Sequence, residues 1–404
     1  VDDGVHGREL WRTDGTAAGS SLVRDINVGA DGSDPWLLPD HQRNAVRFGD
    51  HIYFTADNGQ QGRELWKTDG TTDGTSQVED INPGSTGSYP EGLTVVGSKL
   101  FFSASTADDY NTELWISDGS NTGTKMVKEI NPDDSAYPQQ LTEMNGTLFF
   151  SANDGQLGFE LWRSDGTAEG TIMVKDTNPI DDNNHRLGWF TIFDNRLFFT
   201  VTRDAADGSL YNELWVSDGT SEGSRLFKDL NAYNLVVMDG ALYFRASGGL
   251  WRSDGTESGT TLVKELSASL LTVAGGRLFF IGPPSVLWIS DGSAAGTVPL
   301  REFPLGFADC DHELFSVGDD IFACFLDETY GLELWMSDGT KSGTRLVRDI
   351  EPGFDHSLPD PQIQFRDRLY FAATYRGDRE LWVTDGTESG TRLAVDFNKS
   401  ADED

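Results

Sequence analysis

The sequence is poor in cysteine and in basic residues, and it lacks any long apolar run. Two cysteines in 404 residues cannot form a disulfide-stapled scaffold. Lysine and arginine total 31 against 66 aspartate and glutamate residues, and the net charge of −35 repels phosphate backbones and anionic lipid headgroups. No apolar stretch approaches the roughly 18 residues that a transmembrane helix needs. We therefore expect no nucleic acid partner and no insertion into a membrane.

The excess of acid has two interpretations. It favours cations, especially Ca²⁺, and basic partners, but it also suffices to keep a large extracellular protein soluble. The sequence shows no signal peptide. Because Val1 falls in the middle of a repeat, we expect further residues upstream.

What the sequence does contain is an internal repeat built around the motif E-L-W-x-[ST]-D-G-[TS]. Nine copies occur, and their spacings of 36 to 55 residues average about 46. This period is typical of propeller blades and is longer than that of ankyrin or tetratricopeptide units. The motif tryptophans are Trp11, Trp66, Trp115, Trp162, Trp215, Trp251, Trp288, Trp335 and Trp382.

One repeat predicts four short strands. Residues 141–144 and 148–152 flank Asn145-Gly146, a two-residue turn of the type that hairpins prefer. Residues 160–164 carry the motif, an Asp-Gly turn follows, and residues 172–176 make the fourth strand. Short strands joined by turn residues, without a helical period, predict a four-stranded antiparallel blade. The Phe-Phe pair of the second strand and the motif Leu-Trp should fill the space between adjacent blades.

The predicted fold class is therefore all-β, a β-propeller of four-stranded antiparallel blades. We expect a single domain over residues 1–404, with a half-blade at 1–27, eight complete blades over 43–397 and a polar tail at 398–404. Whether the closed ring has eight or nine blades is left open. Ala323 replaces an aromatic residue in the seventh complete blade, so packing there should be looser or compensated.

Two motifs are interpreted as structural. Asp-Gly turns such as Asp118-Gly119 need no ligand, because Asp caps backbone amides and Gly adopts positive φ. Residues 219–223 spell G-x-S-x-G, but a nucleophile elbow requires a strand leading into a helix, and this segment falls in the repeat's turn. Since no zinc-binding spacing or catalytic constellation stands out, we expect no enzymatic activity.

Acidic residues cluster in the loops that join strand four to the next blade and strand two to strand three. Both sets of loops emerge on the same rim of a propeller, and carboxylate oxygens at this density suit Ca²⁺. We predict a calcium site there, although paired acids also arise by chance in so acidic a chain. The candidate ligands are Asp31, Asp34, Asp108, Asp109, Asp133, Asp134, Asp181 and Asp182.

The cysteines and two sequons are candidate modification sites. Cys310 and Cys324 flank a predicted hairpin about three residues out of register, so a disulfide and two buried thiols are both open. Asn145 and Asn398 begin N-x-[ST] sequons and are the predicted glycosylation sites.

The nine motif copies, with the Gly-Thr and Val-Lys-Asp-Ile-Asn-Pro segments downstream, resemble the ELWxxDGT repeat family over essentially the whole chain. The fifth and sixth complete blades depart from its pattern, because Gly249 and Val286 replace the motif glutamate. These blades also have the shortest loops, so we expect a flatter rim there. The resemblance implies a secreted or surface repeat protein, often part of a larger extracellular polypeptide, and brings no catalytic residues.

The leading functional hypothesis is a non-enzymatic extracellular module that binds other protein chains or glycans, or that assembles into a polymeric or mixed surface structure. One alternative is a propeller hydrolase or lyase that acts on extracellular polysaccharide. Another is a lectin, in which rim aromatic residues stack on sugars; the same residues could instead plug gaps between blades. None of these hypotheses requires a cofactor, and whether Ca²⁺ is bound is left open. The candidate stacking residues are Trp36, Tyr89 and Trp189.

Overall fold

The computed structural model describes residues 2–35, 45–106, 111–178, 186–204, 208–305, 314–353 and 355–397. These residues contain 34 strands and no helix. The strands form eight four-stranded antiparallel sheets and one two-stranded sheet. The prediction of an all-β propeller with eight four-stranded blades and an N-terminal half-blade is therefore confirmed.

The strands follow one another along the chain in every blade, so neighbours in sequence are neighbours in the sheet. The half-blade consists of β1 (Leu10–Arg12) and β2 (Ser21–Arg24). Blades 1 to 4 consist of β3 (Ala45–Phe48), β4 (His51–Asp57), β5 (Arg63–Thr68), β6 (Ser76–Gln77); β7 (Glu91–Val96), β8 (Lys99–Thr106), β9 (Asn111–Ser117), β10 (Lys125–Lys128); β11 (Gln139–Met144), β12 (Thr147–Asn153), β13 (Phe159–Ser164), β14 (Ile172–Lys175); and β15 (Leu187–Phe193), β16 (Arg196–Asp204), β17 (Leu210–Ser217), β18 (Arg225–Lys228).

Blades 5 to 8 repeat the same order. They consist of β19 (Tyr233–Met238), β20 (Ala241–Ala246), β21 (Gly249–Ser253), β22 (Thr261–Glu265); β23 (Ser269–Ala274), β24 (Arg277–Gly282), β25 (Val286–Ser290), β26 (Val298–Glu302); β27 (Phe315–Val317), β28 (Asp320–Asp327), β29 (Gly331–Ser337), β30 (Arg345–Leu346); and β31 (Asp360–Phe365), β32 (Arg368–Tyr375), β33 (Asp378–Thr384), β34 (Arg392–Val395).

The chain divides into two compact units. The first contains Val1–Thr13 and Ser20–Asp229, and the second contains Asp14–Gly19 and Leu230–Asp404. The half-blade and blades 1 to 4 thus belong to the first unit, except that the turn between β1 and β2 belongs to the second unit with blades 5 to 8.

The first two strands of each blade, here called the inner hairpin, are joined by two-residue turns. In blade 3 the turn residues Asn145 and Gly146 have φ of 55° and 77°. Two successive positive φ values define the type I′ turn, whose twist matches that of the flanking strands. The predicted strand positions in this blade are correct to within two residues at every end.

Aromatic and aliphatic residues of successive blades share one core cluster. Between blades 1 and 2, Tyr53 and Leu65 pack with Leu100, Phe102 and Trp115. Phe102 is fully buried, as is the corresponding phenylalanine of most other blades. This confirms that the Phe-Phe pairs and motif Leu-Trp residues fill the space between sheets, where each ring buries about 150–250 Å².

Ala323 is compensated rather than loosely packed. Phe303 is fully buried beside it, with its ring centre 3.8 Å from that of Phe325 and 5.2 Å from that of Trp335. A ring from the preceding loop therefore takes the volume that the missing aromatic side chain would have filled.

A basic residue at the end of strand four links a blade to the next one. Lys128 Nζ donates a hydrogen bond to the Thr171 carbonyl at 2.9 Å and lies 5.8 Å from the centre of the Trp162 ring. A cation over an indole ring adds an attraction that neutral side chains lack. The residues that make the same pair of contacts are Arg24, Lys264 and Arg348.

Candidate functional site

The motif glutamate is a buried structural residue in most blades that carry it; in blade 4 Glu213 is half-buried and pairs with Arg203 and the Trp215 indole instead. Glu64 accepts hydrogen bonds from the amides of Ile81 and Asn82, both at 3.2 Å, and from the Ser88 hydroxyl at 2.5 Å. The two amides lie 17 and 18 residues further along the chain. Burial raises the pKa of Glu64 to about 7, although these hydrogen bonds favour the ionised form.

Other blades preserve this arrangement. Glu113 accepts from the amides of Ile130 and Asn131 at 2.9 and 3.0 Å, and Glu333 accepts from the Ser357 hydroxyl at 2.6 Å. Burial raises the pKa of both carboxyl groups to about 7. The carboxylate of the motif therefore occupies a fixed place in the blade, at the rim end of strand three.

Blade 6 lacks the glutamate and satisfies the equivalent amide in another way. Val286 stands at the motif position, and the amide of Phe303, 17 residues on, donates to the Ser285 carbonyl at 3.0 Å. A backbone carbonyl therefore accepts the hydrogen bond that the carboxylate accepts in other blades.

Blade 5 also lacks the glutamate. Gly249 stands at the motif position, and a Cβ there would lie 2.3 Å from the Lys264 carbonyl oxygen, so strand four lies too close for a side chain. Only Ser247 and Gly248 separate β20 from β21. A cavity of about 220 Å³ opens there. Leu266 and Ser267 line it, and they stand 17 and 18 residues after Gly249, at the positions whose amides bind the carboxylate in blade 1.

The cavity contains an arginine that has no counterpart in the other blades. Arg245 lies opposite Tyr233 in the sheet, and its guanidinium carbon is 4.9 Å from the centre of the tyrosine ring. Arg245 pairs across the sheet with the motif residue Leu250. In the other blades the residue that pairs with this leucine is Thr55, Ser103, Ser151, Thr200, Ile281, Cys324 or Ala372.

Neither charged side chain of the cavity is committed to a partner. Within the part of the chain that the structure describes, the Arg245 guanidinium and the Glu265 carboxylate form no hydrogen bond or ion pair, with each other or with another group. Arg245 is half-buried and Glu265 is exposed at the edge of the cavity. A partly desolvated guanidinium at a cavity is a donor group that binds a carboxylate.

This cavity corrects the expectation of a flat rim at the fifth blade. The missing glutamate and the short loop were visible in the sequence, but a short loop here exposes a cavity instead of levelling the surface. The sequence analysis did not identify Arg245 as a functional residue. When the repeats are aligned, Arg245 is the single arginine at a position where the other blades have small or uncharged residues. It lies next to the single glycine that replaces the motif glutamate, and this combination could have identified it.

The predicted calcium ligands are only partly described. Asp31, Asp34, Asp133 and Asp134 are exposed in two different loops. No group of three or more His, Cys, Asp or Glu side chains that could hold a metal ion occurs among the described residues. The other candidate ligands, Asp108, Asp109, Asp181 and Asp182, lie outside the described residues.

The candidate modification sites stay predictions. Cys324 is buried, and its Sγ lies 2.7 Å from the Pro359 carbonyl oxygen, whereas Cys310 lies outside the described residues. Asn145 is exposed in its hairpin turn and is thus accessible, and Asn398 lies outside the described residues.

Of the candidate stacking residues, Tyr89 is 44% exposed in a loop, and Trp36 lies outside the described residues. Trp189 was expected in a rim loop, but it is half-buried within strand β15. The reason is a register shift between Gly188 and Thr191, where Trp189 adopts φ of 54° and the strand continues past it.

The Asp-Gly turns are structural, as predicted. Asp118 accepts hydrogen bonds from the Ser120 hydroxyl at 2.6 Å and from the Ser120 amide at 2.9 Å. These bonds, the hydroxyl first, lower the pKa of Asp118. The G-x-S-x-G string at residues 219–223 lies in the equivalent turn between β17 and β18, where no helix follows.

Comparison with known proteins identifies the fold and no family. No protein-family model matches the chain, and no curated protein matches it, so the resemblance to the ELWxxDGT repeat family stays a prediction. No helix in the described part of the chain is long and apolar enough to cross a membrane.

Solved propeller structures do resemble the chain. It is 14% identical to a puromycin hydrolase over 91% of this chain, at a TM-score of 0.43, and spans 61% of the length of that hydrolase. It is 11% identical to a prolyl endopeptidase structure over 76% of this chain and 49% of that one, at a TM-score of 0.44. The propeller domain of the Trilobed protease from Pyrococcus furiosus is 11% identical over 89% of this chain and 99% of that domain, at a TM-score of 0.40.

These comparisons make the functional expectation from the sequence wrong. Several of the similar propellers belong to peptidases. At this level of identity the likeness itself shows the fold alone.

Proposed function

We propose that this chain is a peptidase-like propeller that holds the C-terminal carboxylate of a peptide in the cavity of blade 5. The observation that carries the proposal is the cavity beside Gly249, where the motif glutamate is absent. Where Glu64 binds the amides of Ile81 and Asn82, blade 5 presents the equivalent residues Leu266 and Ser267 to this cavity. A ligand carboxylate that enters the cavity would meet the residues whose equivalents bind the protein's own carboxylate elsewhere.

Arg245 supplies the positive charge that a ligand carboxylate needs. In blades 1 and 2 the glutamate is part of the chain, pays no association cost and is held by backbone amides alone or with a hydroxyl. In blade 4 an arginine, Arg203, does pair with the motif glutamate, Glu213. A bound peptide end is held only by its contacts, and a charge-assisted hydrogen bond contributes about 1.5–3 kcal/mol. The cation–π contact with Tyr233, 4.9 Å from the guanidinium carbon to the ring centre, restricts the side chain and so preorganises its donors.

The size and charge of the site favour the end of a peptide over a free anion. At about 220 Å³ the cavity is smaller than the roughly 300–1,000 Å³ of sites that enclose a drug-sized ligand, so it holds a terminal residue and leaves the rest of a chain outside. The net charge of −35 repels a bare anion but attracts a peptide with basic side chains. Glu265 at the cavity edge is placed to meet a donor of such a peptide. The cavity's role is recognition, and the proposal assigns no bond cleavage to it.

Isothermal titration calorimetry on the full chain tests this function. The probes are the tetrapeptide acetyl-Lys-Lys-Ala-Ala with a free C-terminal carboxylate and the same peptide as its C-terminal amide. We expect the free acid to bind with one site per chain, and the amide to bind at least about tenfold more weakly, since it loses one charge-assisted contact. Equal affinities for the two peptides, or no binding of either, would overturn the proposal.

Two variants show whether Arg245 causes the preference. Arg245→Thr introduces the residue that blades 1 and 4 carry at this position, so we expect it to fold and to lose the preference for the free acid. Arg196→Thr is the matched control, because Arg196 also lies over an aromatic ring, 5.4 Å from the centre of Phe198, but outside the cavity. Retained preference in Arg245→Thr, or its loss in Arg196→Thr, would contradict the assignment.

A further inference from the structure

The sequence contains two Asn-Gly dipeptides, Asn58-Gly59 and Asn145-Gly146, and the structure places them in different surroundings. An asparagine that precedes glycine can lose its side-chain amide, because the glycine nitrogen can attack the asparagine Cγ and no Cβ hinders the approach. The step needs an asparagine side chain that is free to turn toward the backbone, and space for the ring that forms. The two dipeptides therefore make a matched pair within one chain.

Asn145 meets both requirements. It is exposed in the turn between β11 and β12, and its side-chain amide forms no hydrogen bond within the part of the chain that the structure describes. Apart from the chain neighbours of Gly146, no residue has an atom within 4 Å of the point that a Cβ on this glycine would occupy. The turn is closed by the pair of Met144 with Thr147 and by a hydrogen bond of 2.8 Å from the Gly146 amide to Glu143 Oε1.

Asn58 meets neither requirement. Its Oδ1 accepts hydrogen bonds from the amides of Gln60 and Gln61 at 2.9 and 2.8 Å, and its Nδ2 donates to Gln61 Oε1 at 2.7 Å. A Cβ on Gly59 would lie 2.3 Å from Asn27 Oδ1, so the space beside this glycine is filled. An attack on Cγ of Asn58 would have to break these hydrogen bonds and displace the Asn27 side chain.

The glycine nitrogen is held alike at both sites. The Gly59 amide donates a hydrogen bond to Asp57 Oδ1 at 2.7 Å, and the Gly146 amide donates to Glu143 Oε1 at 2.8 Å. Gly59 and Gly146 also share their backbone conformation, with φ of 76° and 77°. The difference between the two sites therefore lies in the asparagine side chain and in the space beside the glycine.

We propose that Asn145 is a deamidation site and that the surroundings of Asn58 protect it from the same reaction. The Gly146 nitrogen bonds to Cγ of Asn145 as the bond from Cγ to Nδ2 breaks, and the proton of the Gly146 amide leaves with the departing ammonia. A succinimide ring remains, and water then adds to one of its two carbonyl carbons and opens the ring to aspartate or isoaspartate. The net reaction consumes water and releases ammonia. This inference is independent of the cavity in blade 5.

The two products affect the inner hairpin of blade 3 differently. Aspartate fits the turn, because blade 5 has Asp239-Gly240 at the same position, with φ of 47° and 69°. Isoaspartate adds a backbone methylene to a loop of two residues, so Met144 and Thr147 can no longer pair in their present register. Asn145 is also the predicted glycosylation site, and a glycan on its amide nitrogen would block the loss of ammonia. The two modifications of this side chain therefore exclude each other.

Peptide mapping by mass spectrometry on the full chain tests the proposal. The protein, produced without N-glycosylation, is incubated at mildly alkaline pH beside a synthetic peptide of residues 141–150, which sets the rate for an unfolded Asn-Gly sequence. We expect Asn145 to deamidate at least about tenfold faster than Asn58, because the reaction at Asn58 must first break its hydrogen bonds. Equal rates, a faster reaction at Asn58, or no reaction at Asn145 by the time that the peptide has reacted completely would overturn the proposal.

A variant of the protected site tests the physical cause. Gln61→Ala with Gln77→Ala removes both acceptors of the Asn58 amide nitrogen, which lie at 2.7 and 3.4 Å. We expect this double variant to deamidate at Asn58 at least about twofold faster than the unmodified chain, and at the same rate at Asn145. An unchanged rate at Asn58 would show that its hydrogen bonds do not protect it, and the stated difference between the two sites would then be wrong.

Discussion

The guanidinium carbon of Arg245 lies 4.9 Å from the centre of the Tyr233 ring, and the two residues face each other across β19 and β20. This pair lies beside Gly249, the residue that replaces a buried glutamate of the repeat. In our proposal the two departures from the repeat act together. Gly249 removes the carboxylate of the blade itself, and Arg245 supplies a cation for the carboxylate of a ligand.

The link between blades 2 and 3 predicts a cost for neutralising Lys128. Lys128→Met keeps the length of the side chain but loses the hydrogen bond to the Thr171 carbonyl and the charge over Trp162. We expect the free energy of unfolding to fall by about 1–2 kcal/mol in urea denaturation. Lys125→Met, on the same strand but exposed, is the control and should change it by less than about 0.5 kcal/mol. Equal effects of the two substitutions would show that the link contributes nothing.

Alanine substitutions at two glycines that share a repeat position distinguish the cost of backbone strain from the cost of disturbed packing between blades. Gly119 and Gly70 have φ of 90° and 87°, so alanine is strained at both. A Cβ on Gly119 would lie 2.1 Å from the Tyr53 hydroxyl, whereas one on Gly70 would meet nothing within 4 Å. We expect Gly70→Ala to cost roughly 1–2 kcal/mol, and Gly119→Ala to cost roughly 1–3 kcal/mol more. A thermal unfolding series in which Gly70→Ala is the worse variant would contradict this packing.

The buried glutamate of blade 1 predicts a difference between two substitutions. Glu64→Ala leaves the amides of Ile81 and Asn82 and the Ser88 hydroxyl without their acceptor, and unsatisfied buried donors cost about 1–3 kcal/mol each. Glu64→Gln keeps one acceptor oxygen and should be clearly less destabilising in denaturant unfolding. If alanine were tolerated as well as glutamine, the carboxyl group would not be holding this loop.

Stability should decline from mildly acidic to mildly alkaline pH. Glu64, Glu113 and Glu333 have pKa values raised from 4.5 to about 7 by burial. A raised folded-state pKa contributes stability that is fully present below pH 4.5 and is lost as the pH rises through about 7. We therefore expect Tm to fall between about pH 5 and pH 8. The triple glutamine variant, which cannot ionise at these positions, should show a flatter profile, and an unchanged slope in that variant would refute the assignment.

The turn aspartates give the opposite dependence of stability on pH, and they set the lower limit of the pH range in which the protein is most stable. Hydrogen bonds from Ser120 lower the pKa of Asp118, and the equivalent turn aspartates behave alike. A lowered pKa contributes stability above its unfolded value of 3.8 that is lost as the pH falls through the folded value. Maximal stability is thus expected between the two transitions.

The repeat made the fold predictable because its signals are local. The period of Trp66, Trp115 and Trp162, the Asn145-Gly146 turn and the Asp-Gly turns each act within a few residues of where they stand. Their agreement over nine copies defined the blades, and the strand ends in blade 3 were correct to within two residues.

The cavity could not be predicted from the sequence, because it depends on how the residues around Gly249 pack in three dimensions. Val286 and Gly249 both replace the motif glutamate, yet nothing in the sequence indicates that a cavity opens beside Gly249. Whether a cavity opens at such a position is decided by packing between strands distant in sequence. Trp189 was misplaced for a related reason, since the register shift that keeps it in a strand follows from pairing with β16.

A crystal structure of the chain with acetyl-Lys-Lys-Ala-Ala bound tests the central claim most directly. The account predicts that a C-terminal carboxylate oxygen lies within hydrogen-bonding distance, about 2.7–3.2 Å, of the amide nitrogen of Leu266 or Ser267, with the other oxygen facing the Arg245 guanidinium. A peptide seated elsewhere, or seated in this cavity with its carboxylate pointing away from Arg245, would contradict it.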